Sequence, residues 1–197
     1  LMHPELISLI LFMFVTSCSP GPNNILASYS GFNFGVIKTI PHMMGVVFGF
    51  TFLVSVMNFG LINVFQKYPI TQEILKYTGS AFLIYMAYKI SFSKSNTDQS
   101  TKNPVKFHET FFFQFINPKS VIVSVIMVST YVEQGINFLS YSFWVISVAF
   151  IFAIISIMFW TLLGKFLRKF ATNEKFIKTF NYVMSFLLIA CIATFYL

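Results

Sequence analysis

Ser19-Pro20-Gly21-Pro22-Asn23-Asn24 sits in the middle of a stretch, residues 6–37, that carries no charged side chain and is otherwise rich in Leu, Ile, Phe and Val. A helix needs about 20 apolar residues to cross the hydrocarbon core of a bilayer, so this stretch is long enough to span one. Two prolines and a glycine within six residues cannot belong to a continuous helix. Each interior proline removes a hydrogen bond, clashes with the preceding turn and costs about 3 kcal/mol. The stretch therefore reads as a membrane span broken near its centre. Irregular backbone at that depth is tolerated only where it is buried in protein or lines a cavity, which makes the break a candidate functional site.

A second stretch repeats the pattern. Gln114-Phe115-Ile116-Asn117-Pro118-Lys119 lies inside residues 107–132, which are apolar apart from His108, Glu109 and Lys119. Asn followed by Pro is a helix-start signal, with Asn as the cap and Pro in the first helical position. Lys119 lies 10 residues after Glu109 and 14 before Glu133, so it is central in any placement of the span. A lysine there costs about 2.5–3.5 kcal/mol on insertion scales. No Asp or Glu within a span can pair with it, leaving backbone carbonyls or a bound carboxylate as its natural partners.

The rest of the chain supports a membrane setting. Of its 197 residues, 56% are hydrophobic and 10% charged, against roughly 25% charged in ordinary soluble domains. Further charge-free runs cover residues 39–66, 134–164 and 179–197. Residues 74–93 contain only Lys76 and Lys89, about 20 Å apart along a helix and able to snorkel to opposite interfaces. Six spans follow, at about 6–30, 39–63, 72–92, 107–132, 138–163 and 178–197. The polar stretch 93–106 divides them three and three. The first run has no preceding positive charge and no small-residue cleavage site, so it reads as a span rather than a signal peptide.

The net charge of +7 is a topology signal rather than a nucleic-acid footprint. With six spans, one side of the membrane holds Lys67 and Lys76. The other holds Lys38, Lys89, Lys94, Lys102, Lys106, Lys165, Arg168, Lys169, Lys175 and Lys178. The positive-inside rule puts the second side in the cytoplasm and both termini outside. The expected fold is an all-α integral membrane protein of six transmembrane helices. It forms a single transporter domain over 1–197, in two inverted three-helix repeats with broken first helices. The first repeat covers about 1–92, the cytoplasmic loop 93–106, and the second repeat about 107–197. Both restarted helices would direct their N-termini, each about half a positive charge, toward mid-membrane. With Lys119 beside them, that centre suits a carboxylate. The candidate binding residues are Pro20, Gly21, Pro22, Asn23, Asn24, Gln114, Asn117, Pro118 and Lys119.

At these residues the chain resembles the LysE/RhtB family of amino-acid exporters. The family has a Thr/Ser-Pro-Gly-Pro-Asn motif where this chain has Ser19 to Asn24, and spaced glycines at Gly31, Gly35, Gly45 and Gly49. It has Phe-x-Asn-Pro-Lys at Phe115 to Lys119. The resemblance covers the whole chain and within the family leans toward the cysteine/O-acetylserine exporters. It implies a secondary active exporter of small amino acids or their derivatives in the cytoplasmic (inner) membrane, driven by the proton gradient. Many family members carry an acidic residue after the second-span glycines, where this chain has Phe50 after Gly49. That departure counts against proton coupling at this position and against a cationic substrate.

Other residues are weighed on their own chemistry. Gly45 and Gly49 suit close helix packing. His42 and His108 read as interfacial histidines, with a proton relay as the alternative for His42. Cys18, beside the first break, reads as a small packing residue. It also supports a rival, a membrane thiol–disulfide electron carrier, although Cys191 in the last span does not match the second break. A purely structural or regulatory membrane subunit would leave Lys119 and both breaks without a role. No phosphate-binding glycine loop, metal-ligand cluster or cofactor motif is present, so no cofactor, ATP coupling or enzymatic activity is expected. The expected partners are the lipid bilayer and a small-molecule substrate, and the pattern is compatible with a homo-oligomer.

Overall fold

A computed structural model of the chain describes residues 2–92 and 105–197. Among the described residues the secondary structure is helical, without strands. Of the expected 93–106 loop, only Val105 and Lys106 fall within them.

Helix α1 (Leu6–Cys18) ends where the first proline forces it to. Ser19 turns extended, closing its N–H on the Val15 carbonyl, and Gly21 is extended too. Helix α2 (Pro22–Val56) then starts with Pro22 in the first helical position, where the missing N–H costs nothing. A straight helix of 35 residues would be about 52 Å long, far beyond a hydrocarbon core of about 30 Å. Gly35 interrupts it with φ 75 and ψ 176, a region glycine enters freely and other residues avoid. The chain folds back there. Ser30 Oγ meets Thr39 Oγ1 at 2.8 Å, and Thr39 Oγ1 donates to the Gly35 carbonyl at 2.7 Å. Nine residues along an unbroken helix would separate those hydroxyls by about 13 Å. Residues 22–34 and 36–56 are therefore two antiparallel segments, close to the expected ends of the first two spans.

Past Val56 the helix widens into a π turn, Met57–Leu61, with Gly60 at φ 139. The remaining helices are α3 (Ile62–Lys67), α4 (Ile70–Ser91), α5 (Phe107–Ile116), α6 (Pro118–Tyr131), α7 (Phe138–Arg168) and α8 (Glu174–Ala193). The axes of α5 and α6 meet at 63°, so the second expected break is also present. By length and composition, residues 22–67, α7 and α8 can each cross a membrane, and the bent pair α5–α6 makes a fourth candidate.

Helix α7, about 46 Å long, is the spine. Its start meets the end of α2, where Asn58 Nδ2 donates to Ser142 Oγ at 2.8 Å. Its later turns lie along residues 22–34, where Ser28 Oγ donates to the Trp160 carbonyl at 3.0 Å. Glycines make that crossing close: a methyl group on Gly31 would strike the Thr161 carbonyl, and one on Gly164 the Ser28 carbonyl. Gly45 and Gly49 pack as expected, against α5. A methyl on Gly45 would strike Thr110 and the Phe107 carbonyl; one on Gly49 would lie 2.7 Å from the Phe111 carbonyl. Helices α4 and α8 are joined by Ser185 Oγ, which donates to the Ala87 carbonyl at 2.9 Å. Large apolar side chains such as Ile7, Phe14, Ile84, Phe143, Ile155 and Phe186 face outward, a surface that water would not tolerate at this extent.

Candidate functional site

The two breaks come together, and Lys119 joins them. Asn117 is extended, and its side chain caps α6 by accepting the Lys119 N–H at 3.2 Å. Pro118 follows in the first helical position. That start projects Lys119 toward the opposite break. Its ammonium donates to the Ser19 carbonyl at 3.0 Å and to Ser19 Oγ at 2.8 Å. The lysine passes directly over Gly21, where a Cβ would lie 3.0 Å from both Cδ and Nζ. A methyl there would push the lysine side chain aside by a few tenths of an ångström. The partners of Lys119 are thus a backbone carbonyl and a hydroxyl, neither of which neutralises its charge.

An amide cluster locks the two breaks from a second direction. Asn23 Nδ2 donates to Gln114 Oε1 at 2.8 Å, and Gln114 Nε2 donates back to Asn23 Oδ1 at 3.1 Å. Gln114 Nε2 also reaches the Thr110 carbonyl at 2.8 Å, while Ser120 Oγ donates to Gln114 Oε1 at 2.9 Å. Asn117 Nδ2 donates to Ser120 Oγ at 3.0 Å. Every bond in the cluster is short, so the buried amides avoid the desolvation cost of an unpaired polar group. Asn24 bonds the free end of α1, donating to the Ser17 carbonyl at 3.0 Å and the Ser19 carbonyl at 3.1 Å. Ser156 of α7 adds a bond to the Ser17 carbonyl at 2.9 Å.

These groups wall a cavity of about 540 Å³, counting its open mouth. The lining includes polar residues, Thr16, Ser17, Asn23, Asn24, Asn117, Lys119, Ser120 and Ser156, and apolar ones, Met13, Val46, Phe50, Val123, Ala153 and Ile157. The wall offers a cation, amide and hydroxyl donors, and carbonyl acceptors, and includes no carboxylate. Such a set can hold a carboxylate at Lys119 and an ammonium at neutral oxygens, with an apolar surface for a short side chain.

Of the nine residues expected at the site, Gly21, Pro22, Asn23, Asn24, Asn117 and Lys119 line this cavity. Gln114 stands behind Asn23 and Ser120 as their anchor. Pro20 is exposed and Pro118 instead lines a groove among α3, α4 and α6 with Ile62, Phe65, Leu75 and Val121. Both prolines shape the backbone without lining the cavity, as expected when a ring's task is to end or start a helix. Sequence reasoning overlooked Ser19 as the acceptor of Lys119, although it heads the first motif. It also overlooked Ser120, beside Lys119, and Ser156, a lone hydroxyl in an apolar run. Phe50 lies in the cavity wall, where many members of the family it resembles carry an acid.

Two residues differ from expectation. His42 does not face outward: its exposure is 0%, and its ring makes no well-aligned hydrogen bond, although the main chain of Asn23 lies within bonding reach. Cys18 is not a packing residue but is exposed, because α1 turns that side away from its neighbours. It is also absent from the cavity wall, and Cys18 and Cys191 are both free thiols, so nothing in the site favours the electron-carrier reading. Among the described residues no group of three or more His, Cys, Asp or Glu could hold a metal ion.

The profile of the LysE type translocators matches residues 14–196 of the chain. Curated relatives are similar over nearly the full length. A cysteine/O-acetylserine efflux protein of Escherichia coli O139:H28 (strain E24377A / ETEC) is 29% identical over 194 residues, covering 96% of this chain and 97% of the relative. Proteins of the same description from Escherichia coli (strain K12) and Shigella sonnei (strain Ss046) are 28% identical with the same coverage. No solved structure matches.

Proposed function

The chain belongs to the LysE type translocator family, and from that premise we propose that it is a secondary exporter of small neutral amino acids or close derivatives. Cysteine and O-acetylserine, for which its relatives are named, are the first substrates to try. It is a multi-pass transporter of the cytoplasmic membrane, not an enzyme.

One observation carries the substrate reading. Lys119 stands in the cavity wall at the meeting of two broken helices, held among the described residues by the neutral oxygens of Ser19. A substrate carboxylate is a better partner than a carbonyl, since charge-assisted hydrogen bonds are roughly twice as strong as neutral ones. On entry it displaces Ser19 and takes the ammonium. The substrate's own ammonium goes to the oxygens of Ser17, Asn24 and Ser156, and its side chain to Met13, Val46 and Phe50. With no acid in the wall, a lysine-like side chain has nothing to pair with, and burying its charge alone is too costly. Alternating access then consists of opening and closing the contacts between the breaks, Lys119–Ser19 and Asn23–Gln114–Ser120.

In this reading the chain crosses the membrane six times, in two inverted repeats. The first span is α1 with residues 22–34, the second 36–56, the third α4, the fourth α5–α6, and the last two α7 and α8. Contacts support one basic end. Arg168 lies over the Phe32 ring at 5.2 Å, and Asn33 bonds Asn181 at 2.8 Å. This gathers the Gly35 turn with Lys38, the end of α7 and the basic start of α8. At the other end His3 bonds the Tyr131 carbonyl at 2.6 Å. The positive-inside rule makes the first end cytoplasmic. The repeat is supported by the two breaks and by matched packing of 36–56 against α5 and of α7 against α1.

Efflux from preloaded proteoliposomes tests the proposal. Cysteine and O-acetylserine should leave faster than from protein-free vesicles, and lysine should not. Preferential lysine efflux, or no amino-acid efflux at all, would overturn it.

A further inference from the structure

We propose that His42 is the proton carrier that couples export to a pH gradient, in place of a carboxylate. The inference rests on the exporter reading and adds the identity of the coupling group.

Coupling to protons needs a group inside the protein that binds and releases one near neutral pH. Glu73 and Glu109, carboxylates within the proposed spans, pair with Lys76 and Lys89 at 3.5 and 3.7 Å, and the cavity wall, which includes Phe50, carries no acid. Lys119 is engaged by Ser19. His42 remains, and imidazole has the right chemistry. Its placement is unusual. The side chain is fully buried on the second segment of α2. Its ring makes no well-aligned hydrogen bond, although the main chain of Asn23 lies within bonding reach. A histidine retained for packing alone would hold well-formed bonds at its ring nitrogens.

His42 also stands one layer behind the cavity wall. The main chain of Asn23 faces its ring. Its own carbonyl accepts from Thr110 Oγ1 at 3.2 Å, the Thr110 carbonyl accepts from Gln114 at 2.8 Å, and Gln114 pairs with Asn23. The preceding residue, Pro41, lies inside the helix and removes one backbone bond there, so the helix can bend at this point. Charged groups on the surrounding elements are occupied or turned outward. On α5, Glu109 pairs with Lys89 of α4 at 3.7 Å, while Lys106 and His108 are exposed. Lys38, one turn before His42, is exposed. On α7, Arg168 covers Phe32. Residues 22–34 carry no charge, and their Tyr29 packs into another cluster, with Leu83 and Phe113.

A proton on His42 therefore has the main chain of Asn23 as its acceptor in the conformation seen. It is better stabilised in a conformation that also gives the ring water. The neutral ring takes a proton on its free nitrogen from external water and, after the breaks rearrange, returns it to cytoplasmic water. The Asn23–Gln114 pair links that rearrangement to the substrate.

The test uses purified full-length protein in proteoliposomes with labelled O-acetylserine. For one proton per substrate, a gradient of one pH unit should sustain about tenfold accumulation, since a factor of ten is 1.4 kcal/mol. His42→Gln should keep downhill flux at equal pH within about threefold of the parent and lose pH-driven accumulation. Accumulation by His42→Gln equal to the parent's would overturn the proposal. Parent protein with downhill flux but no pH-driven accumulation would overturn it too, leaving the exporter reading intact. Absence of all flux would remove that reading, and the proposal with it. A second measurement needs no variant. The chain has only three histidines, so ring-nitrogen NMR of the parent can follow each. O-acetylserine should shift the titration of His42 and leave His3 and His108 unmoved; an unmoved His42 overturns the proposal.

Discussion

Lys119→Met keeps most of the lysine stem and removes the charge, which separates two things the residue does. Inserting the span becomes easier by up to about 3 kcal/mol, so membrane abundance should not fall. A charge-assisted bond to the substrate carboxylate is worth roughly 1.5–3 kcal/mol, so efflux should drop about 10- to 150-fold. Lys119→Arg should lie between, because the guanidinium fork keeps the charge but must fit over Gly21 in place of a compact ammonium. Ser19→Ala should be milder than Lys119→Met, since the carbonyl acceptor remains. Efflux by Lys119→Met within about twofold of the parent, at matched protein level, would remove Lys119 from the binding site.

Between elements, the decisive contacts are those where backbone meets backbone. Gly31 and Gly164 let residues 22–34 and α7 approach so closely that an added methyl on either would strike a carbonyl of the other. Carbonyls cannot rotate away as a flexible side chain would, so the helices must separate. Overpacking of this sort costs about 1–3 kcal/mol. Gly31→Ala and Gly164→Ala should therefore lower the melting temperature in detergent, and the double variant should cost less than the sum of the two, because the first methyl already parts the helices. Strict additivity of the melting shifts would show that the crossing is looser than drawn. Gly35 works differently. Nothing lies within 4 Å of a Cβ there, so Gly35→Ala would act through its positive φ alone and loosen the fold-back between the two segments of α2.

In the proposed reading the described residues form a basic end and an end poor in cations, and the positive-inside rule gives the orientation. A reporter active only in the cytoplasm should work when fused after Lys169 and be silent when fused at Leu197. Activity at Leu197 would place the C-terminus inside and end the inverted-repeat reading. In the six-span reading the spans are hard to recognise one by one: α1 is short because residues 22–34 would complete its span, and residues 22–67 run on as one apolar stretch although Gly35 divides them. Helix α4 is less apolar because it carries Glu73, Lys76 and Lys89.

What the sequence alone determined was whatever depends on local chemistry. Proline and glycine decide where helices break, wherever the rest of the chain lies, so both breaks and the Asn117 cap were legible at Ser19–Pro22 and Asn117–Pro118. The same holds for the membrane setting, which follows from composition, and for Lys119 as a charge without an acidic partner. The tertiary structure decided which residues meet. That the ammonium of Lys119 reaches Ser19, 100 residues away, that Gln114 anchors Asn23, that Ser156 completes the wall, and that His42 is buried rather than facing outward all depend on how α5, α6 and α7 pack around α2. An apolar run has the same composition on every face. Pattern alone therefore cannot say which hydroxyl, amide or imidazole turns inward; close packing at glycines such as Gly31, Gly45, Gly49, Gly79 and Gly164 helps to make that choice.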